Sequence, residues 1–280
     1  MSEQLFVNEQ FTPLNSFTSG IEGPSCDWEG NLYAVNYAHN DTIGRVTPDG
    51  EASIFIELGN GRSGLGIRFD SRRRMLIADK DGHNILRVDM ATRDVEVLAH
   101  EPKMNQPNDI AIGANDIVYA SDPNWKTETG QLWRIDTDGT VTLLEGDMGT
   151  TNGIEVSPDE RTLYVNESRQ RTVWAYDLSP TGEVSNKRLI IEFPDFGMDG
   201  MRCDVDGVIY VTRFGKGTVI RLSPDGDVLS EISLMGKNCT NIAFGGPDGR
   251  TCYVTVADNG NVEKFRADRP GRSWQLFQRG

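Results

Sequence analysis

The chain has 280 residues, of which 37% are hydrophobic and 30 are glycine, with 28 basic against 42 acidic side chains and a formal net charge of −14. That acidic excess repels a phosphate backbone or an anionic lipid surface over most approaches, which argues against nucleic acid and membrane as partners. Residues 1–20 lack a basic segment followed by an apolar core, and no uninterrupted apolar run nears about 18 residues, so the sequence predicts a soluble, cytoplasmic protein.

In chain order the predicted elements are short and strand-like, and no amphipathic run with a period of about 3.6 is long enough for a helix-rich or doubly wound fold. Leu5 to Leu14 precedes the first repeat. In that repeat Ser25 to Trp28, Leu32 to Val35, Ile43 to Val46 and Ala52 to Glu57 read as four strands, separated by Glu29-Gly30-Asn31, a polar loop, and Pro48-Asp49-Gly50. These turns have a mechanism: glycine accepts positive φ, and proline presets φ near the turn value. The third strand recurs as Ile85 to Val88, Gln131 to Ile135, Val173 to Tyr176 and Val219 to Leu222. The last repeat offers Asn241 to Phe244, Cys252 to Val256 and Val262 to Phe265, one strand short. Residues 5–14 are expected to supply its outer strand and close the ring, with Trp274 to Phe277 as the competing segment.

Aligning the repeats places Glu22, Leu65, Asn108, Asn152, Asp199 and Asn241 at one equivalent position, at spacings of 43, 43, 44, 47 and 42. Such a period, built only of short strands, predicts an all-β, six-bladed β-propeller with four-stranded blades, opening at about residues 21, 64, 107, 151, 198 and 240. No Pro/Ser-rich linker divides the chain, so residues 1–280 read as one domain. Equivalent positions of a propeller meet at its axis.

Singly, an acid there can cap a loop and an asparagine can satisfy its own turn. Together, Glu22, Asn108, Asn152 and Asp199 would bury charge and unpaired amides at a packed axis unless a cation occupied it. The donors are all oxygen, which suits Ca²⁺, with Mg²⁺, Mn²⁺ or Zn²⁺ as substitutes in a central metal channel. Asn241 follows Asn238-Cys239-Thr240 and reads equally well as an ordinary polar loop. His39, His83 and His100 lie off this register, and Gly61-Arg62-Ser63-Gly64 is not a nucleophile elbow. Cys26, Cys203, Cys239 and Cys252 lack CxxC spacing and are expected to be reduced and buried. The acceptor-like tripeptides at Asn40, Asn166 and Asn238 are read as chance, there being no secretion signal.

The segments EGPSCDWEGNLY, QPNDIAI, YASDPNW, TNGIEVSPDERTLYV, DGMRCDVDGVIYV and IAFGGPDGRTCYVT resemble the SMP-30/gluconolactonase family, the regucalcin-like (LRE-like) proteins, from Ile21 to Phe265. The resemblance implies a six-bladed propeller that binds one divalent cation in its channel and hydrolyses sugar or related lactones. It implies Glu22, Asn152 and Asp199 as metal ligands, Asn108 at the metal or holding water and substrate, and Asp199 as general base. Where members commonly carry arginine, two residues before the asparagine of the PND motif, this chain has Gln106. A neutral amide keeps hydrogen bonding but loses charge and fork geometry, which points to a less polar lactone, another ester or a phosphotriester. Asp122, in SDPNW, matches a family Asp-Pro and either lines the channel mouth or turns the chain. The expected function is a Ca²⁺-dependent lactonase. The alternatives are a phosphotriesterase or arylesterase using the same site, and a non-catalytic calcium- or ligand-binding propeller. The expected partner is a small-molecule lactone or ester, and the protein is expected to be a monomer or weak homo-oligomer.

Overall fold

The computed structural model describes residues 4–278. Among these the chain forms six antiparallel four-stranded sheets, arranged as a β-propeller, and one short helix, Arg272–Gln278. Five sheets use four strands consecutive in sequence. The sixth takes Cys239–Gly245, Thr251–Val256 and Asn261–Arg266 from one end of the chain and Glu9–Gln10 from the other, with Glu9 opposite Lys264 and Gln10 opposite Glu263.

The pattern along each repeat follows from its distance to the axis. In the first sheet Leu32–Val35 is buried throughout, whereas the outer strand Ala52–Glu57 keeps mainly Phe55 inward. Inner and middle strands are therefore buried almost throughout, polar residues included, and the rim strand faces water on one side. The core lies between blades: Val35 and Ile43 of the first sheet pack with Ile67, Ile77 and Leu86 of the second. Each blade needs its neighbour to bury its faces.

The inner strand of the first sheet is Glu22–Cys26, shifted from the expected Ser25 to Trp28. The cause is Asp27, whose carboxylate accepts the amides of Glu29 and Asn31 and so folds the chain into a turn. Asp70 and Asp204 do the same at the equivalent places. Trp274 to Phe277 lies within the helix rather than a strand, and the Phe277 ring packs edge-on to Trp28 and Phe69. Among the described residues no helix is long and apolar enough to cross a membrane.

Candidate active site

The inner strands and the turns that lead into them bring Glu22, Asn108, Asn152, Asp199 and Asn241 to the axis. All are buried except Asp199, which stays partly open. The Asp199 carboxylate is hydrogen-bonded to the Asn152 side chain and meets Glu22. Burial and the charge of Glu22 push Asp199 well above the usual carboxylate range. Burial and the charge of Asp109 raise Glu22 to about 7. Two carboxylates in contact at the axis ionise together only at a cost that a positive partner would remove. Among the described residues neither has an ion pair; Glu22 is held by its neighbour Gly23 N–H and by Asn241 Nδ2 at 3.3 Å.

Close approach of the inner strands depends on glycine. A Cβ on Gly200 would overlap the Asn241 carboxamide, and one on Gly23, which sits at φ 59°, would overlap the Leu65 carbonyl. Asn166 fastens the fourth blade to the fifth by donating to Asp199 O at 2.6 Å and accepting from Gly153 N at 3.2 Å. It is fully buried. With its neighbours so arranged, Asn152 Oδ1 is left buried with no hydrogen-bond partner.

Asn108 is held by its backbone: its N–H donates to Ser121 O and its carbonyl accepts from Gly66 N, both at 2.8 Å. Gln106 is half-buried on the same loop. Asp122 has no exposure, and its carboxylate receives the amides of Asn105 and Gln106 at 2.8 and 2.6 Å and the Trp133 indole N–H at 2.9 Å. Of the two readings of Asp122, the observed contacts are those of a residue that fixes this loop. The histidines stand apart: His39 pairs with Asp41, His83 Nδ1 meets Met104 O and His100 Nδ1 meets Asn84 Oδ1. The four cysteines are free and buried.

Beneath the ring lies a charged layer that the repeat alignment passed over. Asp109, fully buried, is 2.9 Å from Arg202 Nη1 and 3.4 Å from Arg68 Nη1, and Asn241 Nδ2 bridges it to Glu22 at 3.3 Å. Both signals were in the repeats. One residue past the ring position the six read Gly23, Gly66, Asp109, Gly153, Gly200 and Ile242, so Asp109 replaces a recurring glycine. Three past, they read Ser25, Arg68, Ala111, Glu155, Arg202 and Phe244.

On the open side, a cavity of about 330 Å³ reaches Asp199 between Trp125, Arg169, Arg171, Phe196 and Phe214. Phe196 and Phe214 are 48% and 39% exposed, so the mouth presents aromatic faces to whatever enters.

The family model described as SMP-30/Gluconolactonase/LRE-like region matches residues 21–258. A pentonolactonase (XacC) of Haloferax volcanii is 37% identical over 219 residues, covering 77% of this chain and 67% of its own. A gluconolactonase of Zymomonas mobilis is 27% identical, covering 89% and 80%. In fold, the chain is similar to the crystal structure of a calcium-binding protein, regucalcin, from Agrobacterium tumefaciens, with a TM-score of 0.80, 23% identity and coverage of 94% and 97%. On the match across most of its length, the chain belongs to the SMP-30/gluconolactonase/LRE-like family.

Proposed function

We propose that this protein hydrolyses a lactone at the open mouth of its channel, using a divalent cation, Ca²⁺, held by Glu22, Asn152 and Asp199 with Asn108 beside it. The observation that carries the reading is the coincidence of two mutually strained carboxylates with the orphaned Asn152 Oδ1. An all-oxygen set with two negative charges suits a hard dication, which relieves both the like-charge strain and the unpaired oxygen. The relatives named pentonolactonase and gluconolactonase support the reaction class.

The cation, when bound, supplies Lewis-acid stabilisation of charge developing on the lactone carbonyl. Glu22 is locked by Gly23 and Asn241 and serves as a fixed ligand. Asp199 faces the cavity and takes the proton from the attacking water. Asn108, braced by Ser121 and Gly66, orients the substrate's polar edge. Trp125, Phe196 and Phe214 cover its apolar face and exclude bulk water. Gln106 stands on the Asn108 loop, and its neutral side chain in place of an arginine supports a lactone less dependent on many hydroxyl groups. The same aromatic walls suit an aryl ester, the second reading.

A panel of sugar lactones, alkyl-substituted lactones, aryl esters and fluorophosphates, assayed with Ca²⁺ and with EDTA, tests this. Cation-dependent opening of a lactone is expected; turnover of aryl esters or fluorophosphates alone would favour the alternatives, and no cation-dependent turnover of any substrate would leave a binding propeller.

A further inference from the structure

The active-site mouth lies where the inner strands begin. Where they end, on the opposite side of the propeller, a second cavity of about 190 Å³ opens beneath the helix Arg272–Gln278. Its walls are mostly apolar, with Phe69, Ile112, Phe244, Leu276 and Phe277 among them, and three buried arginines, Arg68, Arg202 and Arg272, also line it.

The hydrogen bonds of these arginines are unequal. Arg272 is saturated by Glu155 at 3.4 Å, Glu160 at 2.5 Å and Ser157 O at 3.2 Å. Arg202 donates to Asp109 and to Met201 O. Arg68 has only Ile67 O, at 2.7 Å, and a longer approach to the carboxylate that Arg202 already holds. Its Nη2 is buried with no partner, on a side chain only 7% exposed. Two guanidinium groups thus share Asp109 while Arg272 holds two carboxylates, so the charges of the layer balance and what Arg68 lacks is a hydrogen-bond partner. Other charged groups lining the cavity are engaged elsewhere: Asp70 with Arg74, Asp116 with Ser71, and Arg73 over the Trp28 ring. A buried donor without a partner carries the full cost of its lost hydration.

We infer that this second cavity binds a small organic anion with an apolar body, its carboxylate on Arg68 and its body against Phe69, Phe244 and Phe277. The volume suits a benzoate-sized acid, since a dry cavity of about 150 Å³ accommodates benzene. A polyhydroxylated acid would leave its hydroxyl groups unpaired against phenylalanine, so the site is not one for the sugar acid formed by lactone hydrolysis. The inference stands independently of the reaction proposed above.

Calorimetric titration of the Ca²⁺-loaded protein with benzoate, benzyl alcohol and gluconate tests it. Benzoate should bind at least about tenfold more tightly than benzyl alcohol, as for one charge-assisted hydrogen bond, and gluconate should not compete with it. Arg68→Met should bring benzoate down to the affinity of the alcohol. Should that variant fail to fold, Leu276→Trp, on the half-buried helix, fills the cavity and should abolish benzoate binding while leaving the channel mouth untouched. Benzoate binding that survives Leu276→Trp, or that never exceeds that of benzyl alcohol, overturns the assignment.

Discussion

Replacing Arg202 by methionine removes the nearer of the two cations on Asp109, a carboxylate with no exposure. What remains is Arg68 at 3.4 Å, Asn241 Nδ2 at 3.3 Å and the Ile110 amide at 2.9 Å. Breaking a buried pair costs roughly 3–5 kcal/mol, and the partners that remain place this case near 3 kcal/mol. In a chain of this size that lowers Tm by about 6–10 °C. Asp109→Asn should cost a similar amount, because it leaves two guanidinium groups without their carboxylate. The double variant should cost well below the sum, with a coupling of about 2 kcal/mol, measured by urea denaturation of all four proteins. The pH dependence has a definite sign. Burial alone would raise Asp109, but Arg202 and Arg68 outweigh it and hold the group below the usual carboxylate range. The pair's contribution is therefore complete at neutral pH and is lost only as pH falls through that depressed value. Without Arg202 burial is less fully opposed, Asp109 takes up a proton more readily, and the deficit of Arg202→Met should shrink as pH falls. Additive single costs, or a deficit indifferent to pH, would refute the reasoning.

Chelation should lower Tm and abolish lactone turnover, since a cation at 100 times its Kd stabilises by about 2.7 kcal/mol; full activity after careful demetallation would sink the cation-assisted mechanism. Asp199→Asn keeps an oxygen donor but removes the proton acceptor, so kcat should fall on the order of 10²-fold or more while calorimetry shows a smaller loss of Ca²⁺ affinity. Retained kcat would remove Asp199 as the base. Gln106→Arg should shift the ratio of kcat/KM values towards gluconolactone and away from apolar lactones by about 1–3 kcal/mol, and an unchanged ratio would place Gln106 outside the pocket. Gly200→Ala should destabilise by roughly 1–3 kcal/mol through overlap with Asn241, read by the same denaturation experiment; a neutral result would mean the fifth and sixth inner strands can move apart.

The propeller was legible because its repeat is written twice over, in the Asp-Gly turns and in the return of one position every 42 to 47 residues. Glu22, Asn152 and Asp199 could be paired on paper because one register carries them all. Asp109 could not: its partner Arg202 is 93 residues away and belongs to a row two places further along the strand. Asp122 was ambiguous for a related reason, because its donors include Trp133, and only folding brings the indole to the carboxylate. The helix Arg272–Gln278 is too short for periodicity to reveal.

Ring closure also fixes an order in time. The outer strand at Glu9 emerges from the ribosome 255 residues before Lys264, its partner, and its flanking residues are tied to the same late segment, Phe6 to Arg266 and Phe11 and Thr12 to Val262. Until then the nascent chain is an arc of blades added one after another, each packed only against its predecessor. Glu22 waits on the first blade without Asn241, and the seam between Thr240 and Ile21 is still water. The contacts of Glu22 with Asn241 and of Ile21 with Thr240 are thus among the last to form in synthesis, after the longest loop in the molecule has closed. An abandoned or truncated chain retains most of its blades, the residues of the mouth from Trp125 to Phe214 included, while Glu22 lacks Asn241, so a closed axial ring is itself a report that synthesis reached the final sheet.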